Sequence, residues 1–152
     1  MLKKQILVSS STSGLNGFLN VPGDKSISHR SLIVAGMAIG QTEIKGLLRS
    51  EDVLSTLCAL RQLGVAIEDD LDKKVITVKG VGTCGFNSPD KPLDLGNSGT
   101  GVRLLMGAIA GQPLTATLTG DVSLTARPMK RITDPLQQIG AQIGYLPKNE
   151  EK

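Results

Sequence analysis

VPGDKSISHRS, Val21 to Ser31, is the stretch from which the rest of the chain is read. An approach with strand character (Phe18, Leu19, Val21) halts at Pro22-Gly23, and an apolar run from Ile27 to Ile39 follows. Lys25, Ser26, Ser28 and Arg30 fall within the first turn or two of that run. A helix start presents unpaired N–H groups and the positive end of the peptide dipoles, so an anion is held there readily. An ammonium, two hydroxyls and a guanidinium able to make bidentate contact strengthen the attraction. The competing reading is an ordinary capped helix with solvated charges, and a second copy of the pattern argues against it.

The copy lies about 73 residues on. Leu93-Asp94-Leu95 leads into Gly96-Asn97-Ser98-Gly99-Thr100, and Gly101 to Ala110 is again an apolar run that carries Arg103 early. Gly36 and Gly40-Gln41 have counterparts in Gly107 and Gly111-Gln112. Leu60-Arg61-Gln62-Leu63-Gly64 matches Leu136-Gln137-Gln138-Ile139-Gly140, and the offsets stay at about 71 to 76. Three matches in one order define an internal repeat, which has to be read before the fold.

A chain of 152 residues, 39% hydrophobic and 20% charged, can bury one core. Eighteen glycines against one Tyr, two Phe and no Trp point to close backbone packing rather than aromatic filling. A net charge of +3 without a basic run interleaved with aromatics fits acidic small molecules and argues against nucleic acid. Cys58 and Cys84 lack metal-ligand spacing, which argues against zinc and for a reduced compartment. Met1 to Ser13 is neither a signal peptide nor a membrane span, so a cytoplasmic location is expected.

The pattern predicts short strands at Lys4–Val8 and Phe18–Val21, then a helix over Ser26–Ile39 that is apolar nearly all round and therefore buried. A strand over Thr42–Leu47 follows. An amphipathic helix is capped by Ser50, with Glu51 and Asp52 where its dipole favours acids and Val53, Leu57, Leu60 and Gly64 on one face. Ala66–Asp70 and Lys74–Lys79 read as a hairpin. After a connection over Val81–Asp90 the order recurs: strand Leu93–Leu95, helix Thr100–Ala110, strand Leu114–Thr119, helix Pro128–Ile139, strand Ala141–Tyr145. Pro135 predicts a kink there, or a fresh start capped by Asp134. The expected division is an N-terminal strand and linker (1–16) packing with another domain or partner, a first unit (17–80), a second, incomplete unit (81–146) and a polar tail (147–152). Two inner helices apolar all round need more neighbours than two units supply.

PGDKSISHR, LGNSGTGVRLLMG and Leu124-Thr125-Ala126-Arg127-Pro128-Met129 resemble three signature regions of the 5-enolpyruvylshikimate-3-phosphate (EPSP) synthase family. The sister family of UDP-N-acetylglucosamine enolpyruvyl transferases has a similar fold but lacks the Asp-Lys-Ser opening and the Asn-x-Gly-Thr loop as they stand here. The resemblance implies an α/β (α+β) fold of repeated βαβαββ units, the inverse α/β barrel of the enolpyruvyl transferases, with about two of the three units of one domain present. It implies transfer of the enolpyruvyl group of phosphoenolpyruvate to the 5-hydroxyl of shikimate 3-phosphate, in aromatic amino acid biosynthesis, without metal or cofactor. By the same resemblance Lys25 contacts both substrates, Ser26 and Arg30 hold shikimate 3-phosphate, Gly99 and Arg127 hold phosphoenolpyruvate with Asn97 lining that pocket, and Thr100 is a further substrate-binding residue. The catalytic acid/base groups are expected on the missing part.

The Asn97–Leu104 loop shapes the pocket that the inhibitor glyphosate shares with phosphoenolpyruvate in that family. Gly99 argues for sensitivity, and Leu104, where many members carry proline, leaves it open. Arg103 either orders the loop or touches substrate. His29, the one histidine, reads as packing, Cys58 as core, and Asp52 and Asp94 as a helix-start and a strand-end residue. A chain with Met at its start and a polar tail is expected to be a split-gene product, active only with a complementary C-terminal chain. The alternatives are a truncated, non-catalytic anion-binding module, or a relative of the sister family.

Overall fold

The computed structural model describes residues 8–146. Its elements are α1 (Lys25–Met37), β1 (Ile39–Lys45), α2 (Glu51–Gln62), β2 (Ala66–Asp70), β3 (Val75–Val81), β4 (Leu93–Asp94), α3 (Gly99–Ala110), β5 (Leu118–Thr119), α4 (Val122–Thr125) and α5 (Lys130–Gln138).

Local chemistry explains the start of α1 but not that of α2, where Ser50, expected as the cap, makes no side-chain cap bond and buries its hydroxyl without a partner among the described residues. Asp24 caps α1 by accepting from the Ile27 N–H at 2.8 Å. The Ser28 hydroxyl donates to Asp24 O and accepts from the Leu48 N–H, which fastens the chain leaving β1 beside the start of α1. β1, β2 and β3 form an antiparallel sheet in the order β1-β3-β2, with Thr42 opposite Val78 and Ile67 opposite the same residue on the other side. β3 lies on α1, and Gly80 makes that possible: a β-carbon there would stand 2.3 Å from Ala38 O and 2.4 Å from Ala35 O. Leu32 of α1, Val53, Leu57 and Leu60 of α2, and Ile76 and Val78 of β3 fill the space between them and are nearly or wholly buried. Truncating one of these to alanine costs about 2–5 kcal/mol.

In the second unit β4 pairs parallel to β5, and Ser98 caps α3 through the Gly101 N–H at 3.0 Å. The repeat is visible in backbone detail. In the first unit a β-carbon on Gly23 would meet Gly46 O at 2.2 Å; in the second, one on Gly120 would meet Gly96 O at 2.4 Å. The outer helices end alike. Gly64 and Gly140 both adopt positive φ (91° and 101°), with Val65 N–H bonded to Leu60 O and Ala141 N–H to Leu136 O, each at 3.0 Å. This is the six-to-one closure that a glycine past a helix end allows.

Several expectations are corrected. Phe18–Val21 forms no strand, and Phe18, Leu19 and Val21 are exposed; the stretch pairs with no described strand and has no apolar surface to lie on, so too little is gained by extension. The expected strand Lys4–Val8 falls largely outside the described residues, as does the tail. α1 is not buried all round, since Ile27 and Val34 are 65% exposed. β5 is shorter than predicted, because Gln112–Leu114 turns and Thr115 N–H is taken by Ser88 Oγ. Ala141–Tyr145 is not a strand but runs beside α5, held by Gln137 Nε2 on Ile143 O and Thr133 Oγ1 at the Tyr145 hydroxyl. α5 runs from Lys130 through Pro135 to Gln138, so Asp134 starts no new helix. Cys58 is exposed rather than core, because α2 turns Val53, Thr56, Leu57, Ala59 and Leu60 inward instead.

The two units differ in one respect that matters. Gly36 of α1 is packed by Val65, Leu60 and Phe86, whereas Gly107 at the matching place in α3 has nothing within 4 Å. A groove of about 560 Å³ opens there between the C-terminal ends of α3 and α5, lined by Gly107, Gln112, Leu136 and Ile139 among others.

Candidate functional site

The starts of α1 and α3 gather the cationic side chains singled out above. At α1, Lys25 Nζ lies 3.0 Å from Asp52 Oδ2 in the first turn of α2. Arg30 turns back on its own helix and donates to Ser26 O at 3.1 Å. Ser26 is half-buried and Lys25 exposed. At α3 the same back-folding recurs, with Arg103 donating to Gly99 O at 3.1 Å and to Pro128 O at 3.4 Å. Arg127 donates from Nη2 to Asn97 Oδ1, and Asn97 donates from Nδ2 to Asp121 Oδ2 at 2.7 Å. Gly99, the first residue of α3, lies directly beneath: a β-carbon on it would stand 2.4 Å from Arg127 Nη1 and 3.0 Å from Arg103 Nη1. Thr100 follows, half-buried.

Thr56 of α2 joins the two helix starts. His29, fully buried on α1, places Nδ1 2.8 Å from Thr56 Oγ1, and the Thr56 hydroxyl in turn donates to Asp52 O at 3.4 Å. With the hydroxyl proton so directed, His29 Nδ1–H is the donor. A β-carbon on Gly101, one turn into α3, would stand 2.7 Å from the same Oγ1. Burial pushes the His29 pKa below its ordinary 6.5, with Lys25 and Arg30 adding to the effect and Asp52 opposing it. The imidazole is thus neutral at pH 7, and its Nε2 has no partner among the described residues. As expected, His29 packs, and it is not placed for proton transfer with a ligand.

The structure therefore brings Asn97, Gly99, Arg103 and Arg127 together at one helix start, and Lys25, Ser26 and Arg30 at the other. Arg103, ambiguous in sequence, sits beside Arg127. Two participants were not foreseen. Asp52 was read as a helix-start acid and also holds Lys25. Asp121 was missed, although an Asp three residues before the buried Leu124 is the usual signal of a capped turn. Asp94 behaves as read, accepting from the Gly96 N–H at 2.8 Å. Cations at two helix starts can hold anions, while Asp24 caps α1, Asp52 holds Lys25 and Asp121 holds Asn97, so each of these carboxylates is committed to a partner. Among the described residues no three His, Cys, Asp or Glu side chains are grouped to hold a metal ion, and no helix is long and apolar enough to cross a membrane.

Two successive units of mixed helix and strand, each with cationic side chains at the start of its inner helix, define a protein of the α/β class. Within that class the chain belongs to the EPSP synthase (3-phosphoshikimate 1-carboxyvinyltransferase) family, whose model matches residues 10–151. It is 54% identical over 132 residues to the 3-phosphoshikimate 1-carboxyvinyltransferase of Rhodopseudomonas palustris (strain BisB5), covering 87% of this chain and 29% of that protein. The enzyme of the same name from Nitrobacter hamburgensis is 56% identical over 132 residues, covering 85% of this chain and 29% of the relative. An EPSP synthase structure from Acinetobacter baumannii aligns with a TM-score of 0.81 at 45% identity, over 87% of this chain and 29% of that one. The chain thus spans somewhat under a third of the proteins it matches.

Proposed function

We propose that this chain is the N-terminal, substrate-gripping part of a 3-phosphoshikimate 1-carboxyvinyltransferase, which moves the enolpyruvyl group of phosphoenolpyruvate to the 5-hydroxyl of shikimate 3-phosphate. Lys25, Ser26 and Arg30 hold shikimate 3-phosphate, with Lys25 also reaching phosphoenolpyruvate. Asn97, Gly99, Thr100 and Arg127 hold phosphoenolpyruvate, with Arg103 steadying the loop. The observation that carries this is the pair of cation-dressed helix starts set on either side of Thr56. Two multiply charged anions repel one another, and fixed positive groups at paired helix starts offset that repulsion and supply positioning, which accounts for much of the rate in such reactions.

As the hydroxyl gives up its proton and attacks, the methylene carbon of phosphoenolpyruvate takes a proton; that carbon then loses one as the C–O bond to phosphate breaks and the double bond is restored, so the reaction needs acid/base groups. His29 is buried, and Asp24, Asp52, Asp94 and Asp121 are each engaged by a partner, which favours a source outside this chain. A complementary chain would supply those groups, the third unit and the other domain. The open groove at Gly107 and the exposed Ile27 and Val34 support such a partner. A cytoplasmic location, with no nucleic acid or membrane partner, fits small anionic substrates. The test is phosphate release from phosphoenolpyruvate and shikimate 3-phosphate by this chain alone, by the remainder of a family enzyme alone, and by the two mixed. Activity only in the mixture is expected, and turnover by this chain alone would defeat the reading. The same engagement of the nearby carboxylates favours, second, a non-catalytic anion-binding module, which would bind the substrates and yield no phosphate in any mixture.

A further inference from the structure

We propose that Asp121 is a positioning residue for Arg127: it fixes which way the Asn97 amide faces, and so whether Arg127 finds an acceptor above the start of α3. The inference rests on the reading of Arg127 as an anion ligand and adds how that ligand is set in place.

An ionised carboxylate only accepts hydrogen bonds. Asp121 Oδ1 takes the Leu124 N–H at 2.7 Å, capping α4, and Oδ2 takes Asn97 Nδ2 at 2.7 Å. An amide that gives its NH2 to Asp121 has only its oxygen left for Arg127, and that is the atom Arg127 Nη2 meets. Reversal would set oxygen against oxygen at one end and NH2 against a guanidinium at the other. The polarity of the amide is thereby dictated by an acid that never touches Arg127. Asp121 is itself anchored, because its N–H bonds to Gly96 O at 2.9 Å beside the β4–β5 pair, and Gly120 lies against the same carbonyl. The carboxyl is also held below its usual range, first by the Leu124 N–H and then by the Asn97 amide, so it stays an acceptor at neutral pH. Arg127 thus stands over Gly99 before any ligand arrives, and a bound anion would find one guanidinium already oriented.

The test is side-chain NMR on the 15N-labelled full chain, reading the Arg127 Nε–H and the Asn97 NH2 in three forms. Asp121→Asn keeps an oxygen for the α4 cap but turns an NH2 toward Asn97, which forces the amide round. Asp121→Ser keeps a capping hydroxyl and removes the second acceptor, and guards against a general loss of fold. Arg127 Nε–H is expected to be rigid in the native chain, with an order parameter of about 0.85, and to fall below about 0.6 in both variants. Backbone amides of α4 should be undisturbed in Asp121→Ser. An Arg127 as ordered in the two variants as in the native chain would overturn the proposal. The reading beneath it is tested apart, by phosphoenolpyruvate uptake of Arg127→Ala in the reassembled enzyme: unchanged uptake there removes the anion role of Arg127 and leaves the NMR result to judge Asp121.

Discussion

Gly99 and Arg127 share one volume: the place where any other residue would put its β-carbon lies 2.4 Å from Arg127 Nη1. Arg103 Nη1, at 3.0 Å, crowds the same point. Gly99→Ala therefore leaves the helix sound, since alanine is the better helix former by about 1 kcal/mol, but pushes the flexible guanidinium ends aside. In the reassembled enzyme the KM for phosphoenolpyruvate should rise about tenfold, equivalent to roughly 1.4 kcal/mol, with the KM for shikimate 3-phosphate changed much less. Steady-state kinetics against each substrate would read this, and an unmoved phosphoenolpyruvate KM would show that neither guanidinium serves that ligand.

Asp52 competes with any anion for Lys25. The pair is partly exposed, at 49% and 25% of the two side chains, so its loss in Asp52→Asn should cost the fold no more than about 1 kcal/mol. Freed of its carboxylate, Lys25 should bind shikimate 3-phosphate as tightly as before or more so, by calorimetry on the reassembled enzyme. Weaker binding would mean that Asp52 presents the ammonium rather than restrains it.

His29 predicts a pH dependence of stability. Its folded pKa lies below the ordinary 6.5, so the unfolded chain takes up a proton first as pH falls. Stability is full above about pH 6.5 and declines below it, by at most about 1.4 kcal/mol per pH unit for one proton, until the folded-state pKa is reached. Asp52 faces the ring and softens the effect, while Lys25 and Arg30 sharpen it. Urea midpoints between pH 7.5 and 5.5 should fall in the native chain and fall less in His29→Asn, which has no group titrating in that range. Equal slopes would assign the effect elsewhere.

Two glycine-to-alanine changes should have opposite signs. Gly80→Ala drives a β-carbon into two backbone carbonyls at 2.3 and 2.4 Å and should destabilise by about 1–3 kcal/mol. Gly107→Ala meets nothing within 4 Å inside α3 and should stabilise by about 0.5–1 kcal/mol. Denaturant midpoints of the two variants would check both; destabilisation by Gly107→Ala would show that α3 is covered.

Phe18, Leu19, Val21, Ile27 and Val34 are each at least 65% exposed, an uncommon amount of apolar surface. The isolated chain should associate with itself, as light scattering over a concentration series would show. A clean monomer at high concentration would mean that these side chains find cover within the chain.

Much of this architecture was legible because it depends on neighbours in sequence. The acids Glu51 and Asp52 mark the start of α2, the matching Leu60–Gly64 and Leu136–Gly140 stretches end the two outer helices alike, and Ala66–Asp70 with Lys74–Lys79 spells the hairpin that β2 and β3 form. What depends on distant partners was not. Phe18–Val21 has strand composition and finds no partner edge among the described residues. Asp52 lies 27 residues from Lys25, and Arg127 lies 30 from Asn97; neither spacing has any local signature. Pro135 predicted a kink or a fresh start because a proline forfeits the N–H that would reach Arg131 O, yet one helix runs from Lys130 through it to Gln138. The motifs singled out the candidate cations, and only the three-dimensional arrangement showed that Asp52 holds Lys25 and Asp121 holds Asn97.

The sheet that roofs α1 is made wholly from residues 39–81, all of them next in line after that helix. A ribosome releasing this chain would hand out the whole β1–β3 sheet before α3 had been translated, because the strands that pack on α1 emerge directly behind it. α3 emerges with no comparable roof among the described residues, so it would stay the adhesive end of a nascent protein and the place where further growth or a visitor attaches.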